Sequence, residues 1–311
     1  MKAVVYEKFG GSDVLQFRDM PDPVPLDGEV LVEVFASSVN PIDIKVRSGS
    51  LRAVSGKRFP RIPGADLSGR VLESRHPRFK AGDKVYGMSR VFRGGCHAEK
   101  IALPANYLSP KPATLSHNTA AILPLTGLTC IQALVRKCNL RARQEVLING
   151  CTGGVGSMAV QLAAAKQAMV TGVCSEKNAG LAMKLGADHV VSYEHEDLYR
   201  LGRFDIIFDA AGKMDIRGAK KMLKDGGKYI TTEVGLRIMI WSAFSAAINF
   251  VNVKPDADDL IYLSKMVEEK MVTPLIDRDY PLDQLARAHD YVEKGHSRGK
   301  VLIRIRQAGK G

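Results

Sequence analysis

A strand, a glycine turn and a helix succeed one another between residues 145 and 166, and this run constrains the chain more than any other. Glu145-Val-Leu-Ile-Asn149 is short and apolar on both faces, as a strand buried from both sides must be. Gly150-Cys-Thr-Gly-Gly-Val-Gly156 follows at once. The spacing of Met158, Ala159, Leu162 and Ala163 then predicts a helix from about Gly154 to Lys166, and Met169–Val173 closes a βαβ unit. In that setting the turn is a dinucleotide-binding fingerprint, because a helix N-terminus presents free N–H groups and partial positive charge to phosphates. Gly153 lets the backbone approach the pyrophosphate and Gly156 lets the helix press onto the strand, with Thr152, Gly154 and Val155 completing the expected contacts. Cys151 replaces the first glycine of the usual pattern. A glycine-rich turn with no ligand is the plainer alternative.

The alternation continues downstream. A helix near Ala179–Leu185, strands His189–Ser192 and Asp205–Asp209, a helix near Gly218–Leu223 and a strand Lys228–Thr232 together predict a doubly wound parallel sheet. The first hundred residues read differently. Val30, Val32 and Val34 alternate along Gly28–Phe35, and short apolar runs around Val71 and Val85 are punctuated by Gly, Pro and Asp. The expected class is therefore α/β, a Rossmann domain over 116–274 beside a β-rich domain over 1–115. The latter is discontinuous, since Gly299–Arg306 alternates like the N-terminal strands and is expected to complete that domain within 275–311. Ser116 is expected to cap a helix that Pro124 kinks or ends.

Composition narrows the class further. Of 311 residues, 45 % are apolar and 25 % charged, which excludes wholesale disorder. The five cysteines form no C-x-x-C pair or finger spacing and suit a reducing compartment. Ile238–Ile248, the longest apolar stretch, follows Arg237 and is too short to span a bilayer; it reads as a lid, a channel wall, or a dimer or core helix. With no secretory h-region after Met1, the reading expects a cytoplasmic protein, organelle or peripheral membrane association staying open. Net charge is +12, and residues 45–100 carry 14 Lys and Arg against 4 Asp and Glu. Contact with nucleic acid or an anionic membrane surface is one reading of that excess; a solvated basic face, with no aromatic interleaving, is the other and is favoured.

The end of the second strand selects the nicotinamide cofactor. An NAD site usually places a carboxylate there to bind both ribose hydroxyls. This chain has Cys174-Ser175, with Lys177 and Asn178 beyond; Ser175 can donate to a 2′-phosphate and Lys177 adds charge. Tyr193 flanks the adenine ribose in this reading, and Glu176 is taken to point away. The expected cofactor is NADPH. Asp209-Ala-Ala-Gly212 and Thr231–Val234 end later strands at the edge where open α/β sheets bind ligands, so Ala211, Gly212 and Thr231 join the cofactor contacts.

Several segments in order carry a family likeness: Val39-Asn-Pro-Ile-Asp-Ile-Lys45, Ile62-Pro-Gly-Ala-Asp66, Ala81-Gly-Asp-Lys-Val-Tyr86, Leu123-Pro-Leu-Thr-Gly-Leu-Thr129, the glycine turn, Leu185-Gly-Ala-Asp188 and Gly299-Lys-Val301. Over nearly its whole length the chain resembles the medium-chain dehydrogenase/reductase superfamily, in its zinc-free quinone oxidoreductase branch, which includes alkenal reductases. The resemblance implies a GroES-like first domain, a homodimer, and reduction of a small-molecule quinone or α,β-unsaturated carbonyl (an enone). It also implies catalytic roles for Asn40, Asp43 and Thr126, and cofactor contacts from Lys45, Thr126 and Lys300. Asn40 would donate to the substrate oxygen, or serve only as an Asn-Pro turn; Lys45 reads equally as a surface lysine, and Thr126 also as a cap.

The zinc-dependent members hold catalytic metal with a Cys and a His at positions matching Asn40 and Ala65 here, and neither residue supplies a thiolate or imidazole. Cys96-His97, if on a strand, point to opposite faces, so no metal is expected. Without a Lewis acid, alcohol oxidation lacks its activation, whereas a quinone or enone is already electron-poor. Two other readings stay open: a non-catalytic NADPH-binding protein using its basic domain to bind RNA, membrane or an acidic partner, and an alcohol dehydrogenase with differently placed metal ligands.

Overall fold

In the computed structural model, which describes residues 1–233, 235–295 and 297–306, the described residues form fifteen strands. They are β1 Lys2–Val5, β2 Gln16–Asp19, β3 Glu29–Val39, β4 Asp66–Ser74, β5 Lys84–Met88, β6 Lys100–Pro104, β7 Leu108–Pro110, β8 Glu145–Asn149, β9 Met169–Cys174, β10 His189–Ser192, β11 Phe204–Asp209, β12 Leu223–Thr231, β13 Ile248–Phe250, β14 Ile276–Pro281 and β15 Lys300–Arg304. Val234, the last residue of the Thr231–Val234 segment, lies outside the described residues.

The strands form two units. One holds residues 1–125, 254–268 and 274–311, the other 126–253 and 269–273. In the second, the order β10-β9-β8-β11-β12-β13 is that of a doubly wound Rossmann sheet, and every pairing is parallel. Leu147, Val173, Ile207 and Tyr229 from four of these strands are buried in one core with Ile238. The strand order reverses between β8 and β11, where such sheets place their ligand crevice. Ile238–Ile248 is not a single apolar element: a helix Leu236–Phe244 gives way to β13, the sixth strand, which the sequence pattern did not announce. Ile238 is buried, whereas Met239, Ile240 and Phe244 are exposed.

In the first unit a seven-stranded sheet runs β14-β15-β3-β4-β5-β7 with β6 also on β3. The C-terminal strand returns to it, Val301 opposite Val39 and Leu302 opposite Ser38. Val39, Val301 and Ile303 of this sheet are buried with Val4 of β1 in one core with Leu285, Ala288 and Val292 of helix Leu285–Glu293.

The unit boundaries depart from those expected at 115 and 275. Ser116 caps helix His117–Ala120 by accepting from the Thr119 N–H, and His117 then binds the Ser68 hydroxyl at 2.8 Å and meets Phe35 edge-on, so this helix belongs to the first unit. Helix Ala257–Glu268 also sides with the first unit, because the Tyr86 hydroxyl donates to the Leu260 carbonyl at 2.6 Å and pairs with Ser264. These partners lie in another part of the sequence, where no periodicity signals them.

Candidate functional site

The glycine turn owes its shape to two close approaches. Gly150 adopts φ +77°, a left-handed conformation that glycine alone takes without cost. A Cβ on Gly156 would sit 2.0 Å from the Gly150 carbonyl oxygen, so the helix Gly154–Ala165 packs onto the turn only because that carbon is missing. At Gly153 a Cβ would meet nothing closer than 3.5 Å, leaving the outer face of the turn open to a ligand. No side chain caps the helix N-terminus. Its first N–H groups, including those of Gly154, Val155 and Gly156, are therefore available to phosphate oxygens. Thr152 is buried beside them.

Beyond β9, Ser175 is buried and opens the short turn Glu176–Asn178. Lys177 is exposed. Tyr193 is tied to the same spot, its N–H donating to the Cys174 carbonyl at 3.2 Å while the ring stays exposed. The Glu176 carboxylate is engaged by His195 Nε2 at 2.9 Å, and the Glu176 N–H donates to Glu194. Asn178 Oδ1 is buried with no hydrogen-bond partner among the described residues, so the amide has capacity to spare.

Asp209 organises the carboxyl edge of the sheet. Fully buried, it accepts from Asn149 Nδ2 at 2.7 Å, from the Met214 N–H at 2.8 Å and from the Tyr229 hydroxyl at 3.1 Å, joining β8, β11, β12 and the segment after Gly212. Ala211 and Gly212 lie on the turn it holds, Gly212 at φ +64°. Thr231 ends β12 at this edge; its hydroxyl donates to the Asp209 carbonyl at 3.2 Å and it has no exposed surface.

The first unit contains a second buried polar cluster, centred on Asp66. Its carboxylate accepts from Ser38 Oγ at 2.5 Å, Asn40 Nδ2 at 2.9 Å, the Leu125 N–H at 2.7 Å and Lys300 Nζ at 3.4 Å. Lys300 also donates to Asn40 Oδ1 and to the Val39 carbonyl. All three of its donors have partners inside the unit, Asn40 among them, and the cofactor contact expected of Lys300 rests on the resemblance alone. Asn40, 1 % exposed, is fixed with its oxygen toward Lys300 and one N–H toward Asp66, leaving one N–H to offer. Asp43 heads the same helix, Pro41–Arg47, and accepts from the Asn40 N–H at 2.8 Å. Burial, reinforced by the Asp66 charge, pushes its carboxyl up to about 7. Lys45 is exposed on that helix, and Thr126 is buried at the start of the second unit.

Cys96 and His97 lie in the loop before β6, not on a strand, and each has its own buried partner. The Cys96 thiol donates to the Ala65 carbonyl at 3.0 Å and His97 Nε2 donates to the Ser38 carbonyl at 3.3 Å. Burial holds His97 down to about 3. Among the described residues, the one cluster of three or more metal-ligating side chains is the exposed Glu176, Glu194 and His195.

Asp66 and Asp209, the hubs of the two clusters, carried no role in the sequence reading. The signal was present in each case as a carboxylate closing or opening an apolar strand, Ile206-Ile-Phe-Asp209 and Asp66-Leu, where water cannot solvate it.

Family models for an alcohol dehydrogenase GroES-like domain and a zinc-binding dehydrogenase match residues 26–113 and 185–303. The chain is 31 % identical to a chloroplastic quinone-oxidoreductase homologue of Spinacia oleracea, covering 97 % of this chain and 98 % of the relative. It is 32 % identical to a chloroplastic NADPH-dependent alkenal/one oxidoreductase of Arabidopsis thaliana, covering 97 % and 79 %. The solved quinone oxidoreductase of Coxiella burnetii superposes with a TM-score of 0.91 at 31 % identity, covering 98 % of this chain and 99 % of that one.

Proposed function

The chain belongs to the quinone oxidoreductase branch of the medium-chain dehydrogenase/reductase superfamily, and on that premise we propose that it reduces quinones or α,β-unsaturated carbonyl compounds with NADPH and without zinc. The observation that carries this reading is the uncapped helix N-terminus behind Gly153, held open by the contact between Gly156 and Gly150. Such a site takes a pyrophosphate on backbone N–H groups. Ser175, Lys177, Asn178 and Tyr193 are the residues for the adenosine 2′-phosphate; of the two carboxylates beside them, Glu176 is paired with His195 and Glu194 accepts from the Glu176 N–H.

Bound NADPH supplies a hydride. The protein's part is to orient the acceptor and steady the oxyanion that develops on it. Asn40 is suited to that role because Asp66 and Lys300 lock its amide and leave one N–H free to donate. Asp43, poised near neutrality, holds a proton within the same helix start. Thr126 and Lys45 are proposed as contacts to the nicotinamide end. Asn40 and the Ala65 position give no metal ligand, so a chelator leaves turnover intact.

A panel of quinones, alkenals and enones assayed with NADPH and with NADH tests the proposal. Turnover with NADPH on a quinone or enone, faster than with NADH, is expected; no turnover with any acceptor contradicts it. We propose a cytoplasmic protein and, separately, a homodimer, the dimer supported by the exposed apolar Met239, Ile240 and Phe244 on helix Leu236–Phe244. No described helix is long and apolar enough to cross a membrane. Size-exclusion chromatography with light scattering reads the oligomeric state.

A further inference from the structure

A small cavity in the first unit is lined by Tyr6, Asp43, Arg61, Gly64, Phe92 and Arg93, and it has room for about one water-sized group. Its charge separates it from a packing defect. Arg61 Nε donates to the Arg58 carbonyl at 2.9 Å and Nη2 donates to the Ser55 carbonyl. Nη1 is buried and makes no well-formed hydrogen bond among the described residues, although the guanidinium lies close enough to the Tyr6 hydroxyl to interact with it. The guanidinium cannot readily swing away, because Tyr6 and Arg61 exchange both backbone hydrogen bonds at 2.9 Å and the side chain lies over the Phe59 ring.

The surrounding charges do not compensate Arg61. Arg93 brings a second guanidinium, anchored on the Ala102 carbonyl at 3.0 Å with Glu29 at 3.7 Å. Asp43 is the one carboxyl on the wall, and burial favours its neutral form while the Asn40 N–H occupies one of its oxygens. A buried charged N–H left unpaired is costly, and an anionic oxygen is the partner that recovers most.

We propose that this cavity receives an anionic oxygen of the acceptor, bound by Arg61 Nη1, so that the protein favours quinones bearing an ionised hydroxyl or carboxylate over neutral ones. The cavity admits the oxygen and not the ring that carries it. This inference rests on the quinone reductase reading and names its substrate class.

Two measurements test it. NADPH oxidation is followed with 2-hydroxy-1,4-naphthoquinone, ionised at pH 7, and with neutral 1,4-naphthoquinone. The ratio of the two kcat/KM values is expected to fall about tenfold or more in Arg61→Met and to recover in part in Arg61→Lys, a separation of at least about 1.4 kcal/mol for the anion. Salicylate, titrated calorimetrically into the cofactor-free protein, is expected to bind the wild type and to lose about tenfold in affinity in Arg61→Met. A ratio unchanged by Arg61→Met, or salicylate binding equally to both proteins, overturns the proposal. If the wild type turns over no quinone at all, the functional reading fails, and the salicylate titration still decides the cavity. Should Arg61→Met not fold, Arg61→Gln and the lysine variant supply the same comparison.

Discussion

Lys300 Nζ lies 3.4 Å from Asp66 Oδ2, both side chains buried, although 234 positions separate them in the chain. Their pairing fixes the orientation of Asn40, which both contact. Breaking a buried pair from one side strands the other charge. Asp66→Asn is therefore expected to lower stability by about 3–5 kcal/mol in urea unfolding. Combining it with Lys300→Met is expected to cost less than the sum of the single changes, and strict additivity in the double-mutant cycle contradicts the pairing.

The glycine turn separates packing from ligand binding at two neighbouring positions. Gly156→Ala places a methyl 2.0 Å from the Gly150 oxygen and is expected to destabilise the protein by roughly 1–3 kcal/mol. Gly153→Ala meets only ordinary contacts at 3.5 Å. It is expected to leave the thermal midpoint nearly unchanged while weakening NADPH binding in a fluorescence titration. Equal loss of stability in the two variants contradicts this division.

Ser175→Asp puts a carboxylate at the end of β9, where a 2′-phosphate is proposed to lie. The ratio of kcat/KM for NADPH over NADH is expected to drop by about tenfold to a hundredfold, equivalent to about 1.4–2.8 kcal/mol. An unchanged ratio removes Ser175 from the phosphate site.

Asp43 gives stability a particular dependence on pH. Its carboxyl is raised from 3.8 to about 7, so the folded state holds a proton that the unfolded chain releases earlier. The associated stabilisation is complete below about pH 4 and is lost as pH rises toward 7, by at most about 1.4 kcal/mol per pH unit. The buried His97, held down to about 3, works in the opposite direction and loses its contribution as pH falls below 6.5. Comparing urea unfolding of the wild type with Asp43→Asn cancels the histidine contribution, and the difference is expected to change across pH 4–7. A difference independent of pH rules out the buried carboxyl.

The sequence was most legible where geometry is local. Strands β8 and β10 have the expected bounds, and the helix from Gly154 ends within one residue of its predicted end, because a period of 3.6 or 2 and the adjoining turn residues determine them. What stayed illegible depends on partners far along the chain. Helix Ala257–Glu268 joins the first unit through the Tyr86 hydroxyl, 174 residues away from Leu260, and Lys300 turns inward because Asp66 awaits it. Thr231 faces the Asp209 carbonyl for the same reason. Polar side chains near a site look alike in sequence whether they face a ligand or hold up one that does.

The initial rate of NADPH oxidation on adding 1,4-naphthoquinone to protein dialysed against EDTA tests the central claim most directly. Turnover that equals the undialysed rate and falls in Gly153→Ala, the variant expected to weaken NADPH binding, is predicted. A rate that vanishes on dialysis and returns with added zinc would contradict the account.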